Sequence, residues 1–143
     1  MRSLRVFVSY DLDHDEDLFE LLVGRSRHRD SAFEIVGCSQ PGEMGERWSE
    51  GVRRQLGAVD EVIVICGEHS ETSPRMSAEL GIVRGGKKPY FLLWGRHGCM
   101  CTKPTGARSA DGIFGWTQEN VEAQMRLTAR SVRAREAAER RRA

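Results

Sequence analysis

The sequence predicts a three-layer α/β domain built on a mostly parallel sheet of four to five strands. Four short apolar segments alternate with stretches of helical periodicity, a β-α-β-α-β-α-β order that places helices on both faces of a parallel sheet. The third apolar segment contains Val62-Ile63-Val64-Ile65, a β-branched run with no polar alternation, as expected of a strand covered on both faces. A chain of 143 residues is the size of one domain. It shows no internal repeat and no linker-like stretch.

Residues 4–9 form the first expected strand. Residues 15–27 follow as a helix, with Leu18/Leu22 and Phe19/Val23 four apart on one face. A second strand covers 32–37. A second helix covers 47–59, where Trp48, Val52, Leu56 and Val59 are spaced 4, 4 and 3. The β-branched run makes the third strand, 61–66. The third helix spans 73–84. Ser73 supplies a cap, Pro74 fits the first turn, and Gly85-Gly86 stops it. Residues 88–94 form a fourth strand. The stretch 95–115 holds five glycines, one proline and two cysteines and reads as a long loop with a short edge strand at 112–114. Thr117 caps a last helix that presents Val121, Met125 and Val132 on one face and is expected to fray into the Arg-rich end.

Composition excludes several function classes. Hydrophobic residues at 39% and charged residues at 30% suit a globular domain. No apolar run approaches the ~20 residues that span a bilayer, and the N-terminus lacks signal-peptide layout, so no membrane partner and a cytoplasmic location are expected. The formal charge of +1 conceals an asymmetry. Of 22 basic and 21 acidic residues, residues 126–143 hold seven Arg and two Glu, which leaves 15 basic and 19 acidic residues, net −4, for 1–125. An acidic body argues against nucleic acid as its partner. The division expected is a domain over 1–125 and a basic helical extension over 126–143. The four cysteines are expected as thiols. Cys99 and Cys101, beside His97, are too close in sequence, and have no second pair, for a zinc-finger pattern, so no metal site is expected.

In parallel sheets ligands bind beyond the carboxyl ends of the strands. The first such loop carries five acids between Asp11 and Asp17. It fails the calcium-loop pattern, which needs Gly at position six and Glu at twelve. It also fails a phospho-receiver pattern, since the third strand ends Ile65-Cys66-Gly67 without an Asp. Asp13, Asp15, Glu16 and Asp17 are expected to favour a helix N-terminus through its dipole, leaving Ser9 and Tyr10 at the strand tip as site candidates. The second loop, 38–48, is rich in turn residues and has no glycine phosphate-binding spacing. Trp48 begins the apolar stripe of its helix, with one edge able to face the crevice. The third loop, G-E-H-S-E-T-S-P, offers Ser70 and Ser73 as hydrogen-bonding groups; His69 has no evident nucleophile partner.

Glu79 is the anomalous residue. It lies six positions past Ser73, beyond the reach of the helix dipole, yet beside Met76, Leu80 and Val83 on the wheel. It could pair with Arg75 at the edge of the buried face, worth ~0.3–0.5 kcal/mol. It could instead be a partly desolvated carboxylate facing the crevice, suited to an oxocarbenium-like transition state.

The ordered segments V-F-V-S-Y, W-S-E-G-V-R-R-Q-L-G-A-V-D-E-V-I-V-I, S-P-R-M-S-A-E-L-G and G-W-T-Q-E-N-V resemble TIR domains, with a closer likeness to the TIR-like group of bacterial Thoeris antiphage defence. The likeness covers most of 4–94 and about 115–125. It implies a flavodoxin-like fold and cleavage of the nicotinamide–ribose bond of NAD, with NAD as substrate, no resident cofactor, and a cyclic ADP-ribose-type product. The family's catalytic glutamate falls on Glu79. Met76 stands for the family's aromatic, and the spacing is one residue shorter on one side. The likeness implies that Phe7, Ser9 and Tyr10 line the nucleotide site, with Met76 at its wall; together with Trp48, Ser70 and Ser73 of the strand-end loops they are the expected substrate contacts. The 40–47 segment would close over the site or contact another subunit. Self-association and a phage-derived activator are the implied partners. Many TIR domains are non-catalytic assembly modules, and nucleoside deoxyribosyltransferases also set a glutamate against a glycosidic bond on a similar fold, so both remain alternatives.

Overall fold

The computed structural model describes residues 3–142. Its β-branched run becomes the central strand β3 (Glu61–Cys66), all six residues of which are buried. On one side β3 pairs with β1 (Leu4–Ser9), and β1 with β2 (Phe33–Cys38). On the other it pairs with β4 (Tyr90–Trp94), and β4 with β5 (Ile113–Gly115). Every pairing is parallel and the order is β2-β1-β3-β4-β5. The expected edge strand therefore exists as a fifth parallel strand, one residue later than the glycine spacing suggested. The fourth strand starts at Tyr90 rather than residue 88, since Pro89 has no N–H to give a ladder; its carbonyl accepts from Val62.

Period-two alternation along β3 divides the interior. Ile63 and Ile65, with Val6, Val8, Phe91 and Leu93, pack against Leu18 and Leu22 of α1 (Glu16–Ser26) and Val121 and Met125 of α4 (Gln118–Arg142). Val62, Val64 and Cys66, with Phe7 and Leu92, pack against Val52 and Leu56 of α2 (Glu46–Gly57) and Met76, Leu80 and Val83 of α3 (Pro74–Gly85). Two helices thus cover each face. The parallel order β2-β1-β3-β4-β5 between two helical layers is that of a flavodoxin-like fold.

The caps read from the sequence form. Ser73 Oγ accepts from the Met76 N–H at 3.3 Å with Pro74 in the first turn, and Thr117 Oγ1 accepts from Asn120 N–H at 3.1 Å. Fraying of the last helix does not occur. Helix α4 runs unbroken to Arg142 because Thr128 is buried and Ala129 and Val132 pack on the core, while Ala and Arg are strong helix formers. Arg140, Arg141 and Arg142 in its last turn also complement the helix dipole. Among the described residues no helix is long and apolar enough to cross a membrane.

The glycine-rich stretch after β4 is tied down by side chains. Lys103 Nζ donates to the carbonyls of Arg108, Ser109 and Asp111 at 3.0, 3.1 and 3.0 Å. Tyr90 donates its hydroxyl to the Asp111 carboxylate, and Ser77 and Thr105 share a hydroxyl contact of 2.6 Å that anchors the loop to α3.

Glu61 opens β3 on the α1/α4 side and is 2% exposed, with Oε2 unpartnered. Burial raises its carboxyl to about 8, with Asp60 adding to the effect. The folded state therefore holds a proton that the unfolded chain releases near 4.5, so this group's contribution to stability falls as pH rises from about 4.5 to 8. Replacing it with a similar-sized apolar residue removes that cost. Glu61→Leu is expected to raise the melting temperature at pH 8 by about 2–4 °C per kcal/mol recovered, and to flatten the decline between about pH 4.5 and 8, read by calorimetry across pH.

Candidate functional site

The chain leaves β1 toward β2 on one side and returns to β3 on the other, so the carboxyl ends of β1 and β3 flank the topological switch point. The wheel position of Glu79 turns it inward from α3 toward these strand ends, where it is 0% exposed. Its Oε1 accepts from Ser9 Oγ and Ser39 Oγ, both at 2.7 Å. Ser9 is the last residue of β1. Ser39 follows β2 and is positioned by its N–H to the Val8 carbonyl at 3.0 Å; its Oγ also accepts from Tyr10 N–H at 3.1 Å. Glu79 Oε2 has no partner. Burial raises the carboxyl to about 7, against the opposing pull of the two serine hydroxyls and of Arg75. The group is thus poised between acid and carboxylate near neutral pH.

Arg75 lies one turn before Glu79, on the same side of α3. The exposed Arg75–Glu79 pair offered as one reading of the sequence does not form, because Glu79 is drawn inward by the serines. Arg75 Nη2 instead donates to the Gly42 carbonyl at 2.6 Å, and its guanidinium lies 5.7 Å from the ring centre of Trp48 on α2. Gly42 has φ of +117°, a conformation open to glycine. The 40–45 turn is thus strapped across α2 and α3 beside the buried carboxylate.

The implied substrate contacts separate in space. Ser9 bonds Glu79 directly, and Trp48 is half-buried beside Arg75. Phe7 and Met76 are wholly buried core residues beneath the site. Tyr10 does not join it: its ring stacks on Phe19 in the opposite layer at 4.5 Å, and its hydroxyl donates to Glu16 at 2.7 Å. Alternation along the strand sends Tyr10 to the face opposite that of Ser9. Ser70 Oγ accepts from Gly67 N–H at 2.9 Å and shapes the turn after β3, while Ser73 is occupied as a cap. Ser39 and Arg75 complete the constellation. Ser39 had only its place at a strand end as a signal; Arg75 had its i−4 relation to Glu79.

Of the acids of the first loop, Glu16 and Asp17 lie in the first turn of α1 as expected, whereas Asp15 takes a second role. Asp15 is buried and does not cap α1 with its side chain. Arg96, just beyond β4, reaches Asp15 at 3.1 Å, Asp17 at 2.7 Å and the His14 carbonyl at 2.9 Å. Burial raises the Asp15 carboxyl despite Arg96, whereas Arg96 holds the exposed Asp17 below the usual carboxylate range. Gly67 is required here: a Cβ on it would lie 2.1 Å from Asp15 Oδ2. His14 donates or accepts through Nδ1 at 2.8 Å from Asp11 and stacks on His69 at 3.8 Å. Among the described residues no three His, Cys, Asp or Glu side chains are grouped to hold a metal ion.

No protein-family model matches the chain, and no curated protein matches it. Among solved structures, the crystal structure of a prokaryotic SEFIR domain is similar, with a TM-score of 0.49 and 19% identity over 88% of this chain and 92% of that one. The fold and site together define a flavodoxin-like parallel α/β domain carrying a buried, titratable carboxylate at the switch point of its sheet.

Because each serine hydroxyl favours the ionised form of Glu79, removing one raises its titration midpoint. Ser9→Ala and Ser39→Ala are each expected to move the Glu79 carboxyl resonance midpoint above about 7 in a carbon-detected NMR titration. An unmoved midpoint in both variants would exclude the serines as its stabilising donors.

Proposed function

We propose that this chain is a TIR-like enzyme that consumes NAD by cleaving the nicotinamide–ribose bond, forming a cyclic ADP-ribose-type signal in antiphage defence. The observation that carries the reading is Glu79 itself: a fully buried carboxylate at the strand ends, with Oε1 fixed by two serines and Oε2 uncommitted. An oriented carboxylate in a desolvated site stabilises positive charge developing on a sugar ring and accepts a hydrogen bond from a ribose hydroxyl. As the C–N bond breaks, its electron pair leaves with nicotinamide, which departs neutral. The ribosyl oxocarbenium ion remains against Glu79. Water then attacks with loss of a proton to give the linear product, or a nucleophilic atom of the same nucleotide attacks to close a ring. No protein nucleophile is needed.

Entry requires opening of the 40–45 turn, since Glu79 is 0% exposed in the present conformation. Self-association or a phage-derived activator acting on this turn would supply that motion. A non-catalytic assembly module is the second reading. It is favoured by the same complete burial and by Met44, 44% exposed on the turn.

Glu79→Gln is expected to abolish nicotinamide release from NAD, by about 10²-fold or more, with the fold retained, as followed by chromatography and circular dichroism. A variant that releases nicotinamide like the parent sinks the assignment. The ionised carboxylate is the working form, so turnover is expected to rise as pH increases through about 7. A protein inactive toward NAD that still self-associates, with Glu79→Gln altering stability alone, would establish the assembly role instead.

A further inference from the structure

Six buried side-chain nitrogen or oxygen atoms among the described residues have no hydrogen-bond partner, and three of them are Trp48 Nε1, Arg75 Nη1 and Glu79 Oε2. These three occupy one place. Arg75 and Glu79 are four residues apart on α3, and the Arg75 guanidinium lies over the Trp48 ring at 5.7 Å. Leaving a buried polar group unpaired is costly, and folded proteins satisfy more than nine in ten of their backbone groups and most side-chain ones. Half of the exceptions among the described residues thus lie together on α3 and the facing end of α2, and their chemistry points to the complement of a ligand.

Two N–H donors, one of them cationic, call for an anion; the lone carboxylate oxygen calls for a hydroxyl. The anion cannot sit on Glu79, where like charges would repel, so it belongs on the Arg75/Trp48 side. Arginine's planar donor fork matches phosphate oxygens. A phosphate ester one carbon removed from a sugar ring joins both groups at short range. The Gly42 carbonyl, 2.6 Å from Arg75 Nη2, holds the position that a phosphate oxygen would take, so binding would also loosen the 40–45 turn.

We propose that Arg75 and Trp48 form a phosphate subsite beside Glu79, selecting ribose 5-phosphate esters, hence nucleotides, over unphosphorylated ribosides. The ribose contact rests on the reading of Glu79 given above; the phosphate contact does not.

The test is binding rather than turnover. The full chain is titrated with ribose 5-phosphate, ADP-ribose and ribose by NMR, following the Trp48 indole and Arg75 guanidinium resonances. Both phosphate-bearing probes are expected to bind at least tenfold more tightly than ribose and to shift both resonances. Arg75→Gln is expected to erase that preference, and Arg75→Lys to restore part of it. Trp48→Phe, which keeps the ring and drops the N–H, is a second variant should Arg75→Gln unfold, and is expected to weaken the preference. Equal binding of ribose and ribose 5-phosphate, absence of binding by both, or a preference that survives Arg75→Gln would overturn the subsite. Nicotinamide release that persists while Arg75→Gln leaves phosphate binding intact would overturn the subsite alone. Arg75-dependent ribose 5-phosphate binding in a chain that never cleaves NAD would overturn the enzymatic reading alone.

Discussion

An ionisable carboxylate inside a protein is tolerated only where donors meet it, and the meeting at Glu79 organises this end of the molecule. Its Oε1 draws Ser9 from the tip of β1 and Ser39 from beyond β2 onto one atom of α3. Two strands and a helix are thereby pinned at a single point. The pinning sets how deep α3 sits, with Met76, Leu80 and Val83 against the sheet on the same face. It also leaves the second oxygen with nothing to bind. Each uncommitted buried lone pair carries a desolvation cost, one that Glu79 shares with Glu61 and Asp15.

A second polar network braces the neighbouring strand ends in a different manner. Arg96 gathers Asp15, Asp17 and the His14 carbonyl, which locks the loop after β4 onto the start of α1. The His14–His69 stack joins the loops after β1 and β3 across the crevice, and Asp11 raises the His14 imidazole above its ordinary range. The two networks differ in purpose. Arg96 satisfies most of what it touches and makes a brace. The Glu79 side concentrates unpaired groups, with Trp48 Nε1, Arg75 Nη1 and Glu79 Oε2 all left without a partner.

Arg75 changes how the third helix is read. By sequence likeness Met76 takes the place of an aromatic wall, yet Met76 points into the core. The residue one turn before Glu79 on the crevice side is Arg75, and the aromatic surface comes from Trp48 on α2.

Most of the fold was legible in the sequence because its signals are local. Helical spacing, the β-branched run Val62-Ile63-Val64-Ile65, the Ser73 and Thr117 caps and the glycine stops each act over a few residues, and each produced its element within one or two positions. The wheel put Glu79 beside Leu80 and Val83 but left open whether it pairs with Arg75 at the edge of the buried face or turns inward. The partners were not legible. Ser39 meets Glu79 from 40 residues away, Ser9 from 70, and Arg96 meets Asp17 from 79. Tyr10 and Ser9 are neighbours in sequence, yet the strand's alternation delivers them to opposite layers. By itself the sequence determined a parallel α/β sheet and singled out one carboxylate beside the apolar stripe of its third helix. Only the tertiary structure decided which hydroxyls that carboxylate takes, which oxygen stays free, and which cation stands beside it, because sheet order and crossover geometry bring together residues that no local pattern relates.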